Sequence, residues 1–278
     1  MTNLCVVTGG GSGMGFETAR ILGKTMKIIL VGRTPAKLEN AIRQLNQAGI
    51  QAEAFPADTG DRASVEKLAA YAASLGKIKA VIHAAGISPH MADGDKILEV
   101  NALGTIHINE VFGGVMAENS CILNVASMAA YMIPEERTPK PLYALSLQDE
   151  AGFLAGMKQI LGSVPEDSRP GMAYSLSKHF VRWYTEKMAL RLGNKGIRVV
   201  SISPGTFRTP MGILEGEQAA GFAAKGALGR MGEPEEIARM MAFMVSDECS
   251  YLTGADVLYD GGSIAAFKAA METVPMPT

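Results

Sequence analysis

Along the chain, short runs of consecutive apolar residues alternate with longer stretches in which apolar positions recur every three or four residues. The short runs are Leu4 to Thr8, Lys27 to Val31, Gln51 to Phe55, Ala80 to Ala84, Cys121 to Ala126, Arg198 to Ser203 and Asp256 to Tyr259. Side chains alternate between the two faces of a strand, so a run that is apolar at successive positions suits a strand covered on both sides. Between them, Leu38, Ala41, Ile42, Leu45 and Ala48 form one helical stripe, with Pro35 suited to a first helical position and Gly49 to a stop. Val65, Leu68, Ala69, Ala72 and Leu75 form another. Strands alternating with helices predict an α/β fold: a Rossmann-like, doubly wound parallel sheet of seven strands, in a single domain over residues 1–278.

Right-handed crossovers place every strand-to-helix turn of such a sheet on one edge, where open α/β folds bind ligands. Gly9, Arg33, Asp58, Gly86, Ser127 and Pro204 each follow a predicted strand. The rhythm breaks once, because 46 residues separate Ser127 from Tyr174 and include Pro134, Pro139, Pro141, Pro165 and Pro170. Proline ends or kinks helices, so this stretch is no simple crossover. A helical piece from about Ser146 to Leu161, with Leu147, Ala151, Leu154 and Met157 on one stripe, fits its middle. Residues 128–173 are expected as a substrate-side insertion over the site.

Composition narrows the classes. With 278 residues, 47% hydrophobic and 19% charged, the chain can bury a sizeable core. Its formal charge of −2, without a block of like charges, argues against nucleic acid or an anionic membrane as partner. Cys5, Cys121 and Cys249 are odd in number and far apart, so reduced thiols in a cytoplasmic protein are expected. Met1-Thr2-Asn3 leads straight into Leu4-Cys5-Val6-Val7 without a basic or apolar leader pattern, so no leader is expected, and no apolar run approaches a membrane span. His83, His90, His107 and His179 show no metal-ligand spacing, and no metal is expected.

Two patterns carry chemistry. Thr8-Gly9-Gly10-Gly11-Ser12-Gly13-Met14-Gly15 follows the first strand and opens a helix. Glycines there let the backbone turn sharply and approach a diphosphate, whose charge the free N–H groups of a helix start favour. A glycine-rich turn without ligand is the alternative. The second pattern is Tyr174 with Lys178: of the seven tyrosines, Tyr174 alone has lysine four residues later, one helical turn away, in Ala-Tyr-Ser-Leu-Ser-Lys where a long helix should begin. Free tyrosine, with a pKa of ~10, exchanges protons poorly at neutral pH, and a neighbouring ammonium stabilises its phenolate. Lys178 is therefore expected to lower the Tyr174 pKa. Tyr174 would be the acid when a ketone is reduced and the base when an alcohol is oxidised, and Ser127 would orient the substrate oxygen.

The glycine spacing, with His83-Ala84-Ala85-Gly86, Asn101, Ser127, Tyr174 with Lys178, and Pro204-Gly205 in that order, resembles the classical short-chain dehydrogenase/reductase family from residue 4 to about 263. The resemblance implies catalytic Ser127, Tyr174, Lys178 and Asn101, the last holding a water that links Lys178 to solvent; a buried structural amide is the alternative for Asn101. It implies cofactor contacts from Gly9, Ser12, Gly13, Met14 and Gly15, from Asp58 and Thr59 at the adenine, and from Ala84, Ala85 and Gly86. Tyr174 and Lys178 would also meet the cofactor, the lysine at the nicotinamide ribose. Pro204-Gly205-Thr206-Phe207-Arg208-Thr209 matches the family segment that locks the carboxamide, with Phe207 and Thr209 making those contacts and Pro204 and Gly205 also at the cofactor. His83 stands where the family usually has Asn, and reads as a structural substitute. Helices from Asn101 to Met116 and from Tyr174 to Leu192 would pair copies into a homodimer or homotetramer.

Cofactor and substrate follow from details. Leu30-Val31-Gly32-Arg33-Thr34 carries no acid at the end of the second strand, so NADP is favoured over NAD, with Arg33 and Thr34 on the 2′-phosphate. Arg33 as a solvated residue, or stacked on adenine in an NAD enzyme, stays open. Residues 206–230 are expected as a substrate lid hinged at Gly212, Gly216 and Gly221. Met128, Tyr131, Met132, Ile133, Tyr143, Phe153, Met157, Phe207, Met211, Ile213 and Leu214 are expected near the site, unless they pack the insertion's own core. The long insertion and Ser250 to Ala255 resemble bacterial 3α-hydroxysteroid dehydrogenase/carbonyl reductases, which implies a hydroxysteroid or bile-acid-like alcohol and ketone pair. The alternatives are a 3-oxoacyl thioester reductase, with Lys140, Lys158 and Arg208 as candidate rim cations, a reductase of small carbonyls or sugars, and an NADP-binding regulatory protein.

Overall fold

The computed structural model describes residues 2–272. In chain order the main elements are β1 (Asn3–Thr8), α1 (Gly13–Leu22), β2 (Lys27–Gly32), α2 (Pro35–Gln47), β3 (Ala52–Pro56), α3 (Arg62–Leu75), β4 (Lys77–His83), α4 (Gly94–Leu98) and α5 (Gly104–Val115). They continue with β5 (Ser120–Val125), α6 (Lys140–Leu145), α7 (Glu150–Gly162), α8 (Arg169–Leu192), β6 (Ile197–Pro204), α9 (Pro210–Leu214), α10 (Gly216–Lys225), α11 (Pro234–Val245), β7 (Asp256–Tyr259) and α12 (Ser263–Met271).

All seven strands are parallel, in the order β3-β2-β1-β4-β5-β6-β7. The strands are apolar at successive positions because both faces are covered. In β1, Leu4 and Val6 enter the layer shared with Val65 and Leu68 of α3, Phe112 of α5 and Phe180 of α8. Cys5 and Val7 enter the opposite layer with Ala19 of α1, Leu38 of α2 and Met241 of α11. Each fully buried aliphatic side chain contributes roughly 1.5–3 kcal/mol, so these two layers set strand register and helix placement. The strand order reverses between β1 and β4, the crevice where such sheets hold ligands.

Several boundaries differ from the sequence reading. β4 starts at Lys77 and ends at His83, so Ala84 begins the following turn. The long helix starts at Arg169 with Pro170 in its first turn, which puts Tyr174 in its second turn. The helix expected from about Ser146 to Leu161 begins later, as α7 at Glu150, where Asp149 caps it by accepting from Gly152 N–H at 2.9 Å, and the separate short helix α6 ends before Ser146. The buried stripe of α7 is Phe153, Met157 and Leu161, while Ala151 faces solvent. The helix expected from Asn101 is preceded by a wider π turn at Glu99–Leu103 that contains Asn101.

Only the start of the insertion, at Met128, Ala129 and Met132, lines the cleft at the strand ends. Helices α6 and α7 pack beside it, against α4 and α8, where Phe153 meets Phe180 at 4.6 Å between ring centroids and the Tyr143 hydroxyl donates to the Leu176 carbonyl at 3.1 Å. Glu150 holds α7 in place through His107 Nε2 at 2.7 Å and Arg62 at 3.4 Å. Among the described residues, no helix is long and apolar enough to cross a membrane, and no group of side chains suited to a metal ion is assembled.

Candidate active site

The C-terminal ends of the strands open into a cleft of about 500 Å³ that runs from the glycine turn after β1 to the segment after β6. All the residues expected at the cofactor, namely Gly9, Ser12, Gly13, Met14, Gly15, Arg33, Thr34, Asp58, Thr59, Ala84, Ala85, Gly86, Pro204, Gly205, Phe207 and Thr209, line it, as do Ser127, Tyr174 and Lys178. Asn101 stands behind the lining, 1% exposed.

The glycine turn is shaped for a close approach. Gly9 has φ +66°, and a Cβ there would sit 2.7 Å from the Ala84 carbonyl oxygen, so a side chain would push β1 and β4 apart at their reversal point. Ser12 caps α1 with extended backbone and makes no side-chain cap bond, which leaves its hydroxyl and the first N–H groups of the helix free for an anion. At the end of β2, Arg33 and Thr34 are joined by Lys37, which the sequence reading missed. Its signal was available, since Lys37 lies in the first turn of a helix that starts at Pro35. Neither Arg33 nor Lys37 forms an ion pair among the described residues, and Thr34 caps α2 without a side-chain bond. These residues leave cationic and hydroxyl groups free at the end of the cleft where a dinucleotide cofactor would lie.

β5 and α8 bring Ser127, Tyr174 and Lys178 to one cleft. Ser127 follows β5, and its Oγ accepts from Ala129 N–H at 3.2 Å, which fixes it at the start of a short helical turn. Tyr174 lines the cleft, and burial pushes its phenol up to about 12; the neighbouring Ser127 hydroxyl acts the other way, and the charge of Glu215 adds to the rise. Lys178, 6% exposed, donates from Nζ to the Val125 carbonyl at 2.8 Å, and burial brings its ammonium down to about 8. Its Nζ lies 5.8 Å from the Tyr174 ring centroid. The expected lowering of the Tyr174 pKa by Lys178 does not appear: burial outweighs the Ser127 hydroxyl, and the Lys178 ammonium is turned toward the Val125 carbonyl.

Asn101 is held from both ends. Its Oδ1 accepts from Ile87 N–H at 2.9 Å, and its Nδ2 donates to the Ile87 carbonyl at 3.1 Å and to Ser177 Oγ at 3.3 Å. A Cβ on Gly86 would lie 3.2 Å from Asn101 Oδ1 and 3.3 Å from Lys178 Nζ, so the two flank that glycine. The π turn is what aims Asn101 inward, and nothing in the sequence marks it. His83 is 2% exposed; its Nδ1 is hydrogen-bonded to Thr8 Oγ1 at 2.9 Å, and the same hydroxyl oxygen accepts from Ala85 N–H at 3.1 Å. Burial lowers its pKa to about 3, so a neutral imidazole ties β4 to β1.

At the far end the lining is apolar: Met91, Met128, Met132, Met211, Leu214 and Phe222, with His90 and Glu215 as the polar exceptions. Of the residues expected there, Met128, Met132, Phe207, Met211 and Leu214 reach the cleft. Tyr143, Phe153 and Met157 pack the core under the insertion. Ile133 packs against that core too, Ile213 is 71% exposed, and Tyr131 donates to Asp256 at 2.7 Å beneath the Arg182 guanidinium. Lys140, Lys158 and Arg208 are held by Glu135 at 2.7 Å, Glu99 at 3.0 Å and Glu233 at 2.8 Å, away from the cleft. His90, after β4, and Glu215, after β6, were not legible as site residues, because only tertiary folding brings those two segments to one cleft.

Comparison with known proteins places this geometry. Residues 3–140 match the family model described as short chain dehydrogenase, and residues 142–263 match one described as Enoyl-(Acyl carrier protein) reductase. The chain is 27% identical over 270 residues to a short-chain dehydrogenase/reductase of Alternaria brassicicola, covering 95% of this chain and 97% of the relative. It is 28% identical over 264 residues to the cis-4-hydroxycyclohexanecarboxylate dehydrogenase of Sinomonas cyclohexanicum, covering 94% and 96%. A crystal structure of a short chain dehydrogenase from Burkholderia cenocepacia in complex with NADP shares the fold, with a TM-score of 0.75 at 22% identity over 93% of this chain and 96% of that one. Two adjoining matches that leave little of the chain uncovered, on a seven-stranded sheet with its glycine turn at the reversal point, show that the chain belongs to the short-chain dehydrogenase family of oxidoreductases.

Proposed function

We propose that the protein interconverts a secondary alcohol and a ketone on an apolar cyclic substrate, with NADP(H) preferred over NAD(H). The observation that carries this reading is the meeting of Ser127, Tyr174 and Lys178 in one cleft, between a free helix N-terminus and an apolar, methionine-rich end. A nicotinamide cofactor held there would supply the hydride in reduction and accept it in oxidation. Tyr174 gives its proton to the carbonyl oxygen in reduction and takes it back in oxidation, and Ser127 Oγ hydrogen-bonds that oxygen and orients it. Lys178 holds positive charge beside them, and Asn101, behind Gly86, positions the route by which a proton reaches it from solvent. Arg33, Lys37 and Thr34 would bind the 2′-phosphate, and Asp58 and Thr59 the adenine side. Phe207, stacked on Tyr259 with centroids 6.2 Å apart, and Thr209, whose Oγ1 accepts from Gly212 N–H at 3.1 Å, fix the segment that would meet the carboxamide.

The substrate class is argued from the lining. Flexible methionines adapt to irregular apolar shapes, which supports an alicyclic alcohol, with a hydroxysteroid as the extended member of the class. The insertion that suggested a steroid packs beside the cleft, so the compact alicyclic form is favoured. We also propose a homodimer rather than a homotetramer, since α6 and α7 of the same chain cover the face of α8 that carries Phe180, Trp183 and Tyr184. Free Cys5, Cys121 and Cys249 support a cytoplasmic setting. The test is absorbance at the reduced-nicotinamide band with NADPH or NADH and a panel of cyclic ketones, keto-steroids, acetoacetyl thioester and diketones. Turnover of cyclic ketones with NADPH preferred is expected; turnover of the thioester alone would replace the substrate reading.

A further inference from the structure

The apolar end of the cleft contains a carboxylate that neither hydride transfer nor cofactor binding uses. Glu215 sits at the junction of α9 and α10, where it is followed by Gly216 with φ +57°. Its neighbours Ile213 and Leu214 are 71% and 64% exposed, whereas Glu215 is half-buried and lines the cleft shared with Tyr174. Among the described residues no cation lies within ion-pair distance of it; His90, on the loop after β4, is close enough for its charge to be felt. Burial raises the Glu215 carboxyl, and its charge in turn raises the Tyr174 phenol, so the two share one poorly solvated space. A half-buried carboxylate that shares its cleft with Met128, Met132, Met211 and Phe222 loses part of its hydration, which a hydrogen-bond donor can replace.

We propose that Glu215 is a specificity residue which accepts a hydrogen bond from a hydroxyl or ammonium group carried by the substrate away from its reacting carbonyl, and which disfavours a carboxylate there. The inference rests on the alcohol–ketone reading. It sets this chain apart from a relative whose named substrate is a hydroxy acid. A donor on the substrate restores what the carboxylate loses by burial, whereas a second carboxylate meets like charge in a space with little water.

The test is kcat/KM with NADPH for four cyclohexanones matched in size, bearing methyl, hydroxymethyl, aminomethyl or carboxylate opposite the carbonyl, on wild type, Glu215→Gln and Glu215→Lys. Wild type is expected to favour the hydroxymethyl and aminomethyl ketones over the carboxylate by about tenfold or more. Glu215→Gln should keep the hydroxymethyl preference and lose the aminomethyl one, and Glu215→Lys should turn the ranking toward the carboxylate. A wild type that ranks methyl or carboxylate first, or ratios that stay the same in both variants, would overturn the inference while leaving the alcohol–ketone reading in place. Failure of wild type to turn over any of the four, the methyl ketone included, would overturn that reading and the inference with it. Because each comparison is a ratio within one protein, a variant with a poorly folded α9–α10 segment loses rate on all four and does not mimic the expected pattern.

Discussion

The ammonium of Lys178 and the carbonyl of Val125 are joined at 2.8 Å, so the last residue of β5 holds the cation that α8 delivers to the cleft. That bond makes the position of Lys178 a property of the sheet as well as of the helix. A cation kept in a buried place is costly, and here the cost is visible as an ammonium brought down to about 8.

Replacing Lys178 by Met should therefore stabilise the fold while removing activity. In the folded protein this group binds its proton less tightly than in the unfolded chain, where the value is near ~10.4. The full cost is present below about 8 and fades as the pH rises from there toward the unfolded value. Lys178→Met is expected to melt higher than wild type at neutral pH, by on the order of 1–3 kcal/mol, with the gap closing at alkaline pH. Thermal melts at both pH values check this; a variant that melts lower at neutral pH would mean that the bond to Val125 outweighs desolvation.

Tyr174→Phe should cost roughly 10²–10⁴-fold in turnover with little change in stability, the usual range for a lost general acid. With the phenol pushed up to about 12, ketone reduction is not limited by Tyr174 ionisation near neutrality and should fall only as Lys178 loses its proton near 8. Alcohol oxidation needs the phenolate and should keep rising with pH. Rate profiles in the two directions are thus expected to diverge above about 8, and parallel profiles would assign the proton to another group.

How much of this was legible in the sequence depends on the range of the forces involved. The strands were readable because a sheet buried on both faces needs apolar residues at successive positions, as in Leu4 to Val7 and Cys121 to Leu123. The glycine turn, Ser127 and the Tyr174 and Lys178 pair were readable because each follows directly from a strand end or a helical turn. Asn101 was named but its setting was not, since a π turn is a packing outcome without a local signature. Insertion residues such as Tyr143 and Phe153 could be recognised as apolar, but only the tertiary arrangement shows that they fill the space under α6 and α7 rather than the cleft. Lys37 was missed although its position in the first turn of α2 could have been counted from Pro35.

Cofactor choice is testable at the end of β2. If Arg33 and Lys37 share the 2′-phosphate, each contributes charge-assisted hydrogen bonds worth about 1.5–3 kcal/mol, so each alanine variant should raise the KM for NADPH by roughly 10–100-fold and leave that for NADH nearly unchanged. The double variant should approach indifference between the two cofactors. Equal losses with both would place Arg33 on the adenine instead.

The insertion makes the last prediction, because it joins stability to assembly. Phe153 is fully buried against Phe180, and Glu150 at the start of the same helix is tied to His107 and Arg62. Phe153→Ala should cost about 3–5 kcal/mol, the range for removing a buried aromatic ring. With α6 and α7 fixed in this way, a second copy cannot reach the face of α8 that they cover, and light scattering of the wild type should give the mass of two chains rather than four. The Phe153→Ala protein, destabilised at that contact, is expected to expose the α8 face first, so its early unfolding should be concentration-dependent as newly bared Phe180 and Trp183 seek partners. A wild-type tetramer, or a variant that melts as wild type does, would show that the insertion neither blocks that face nor holds it closed.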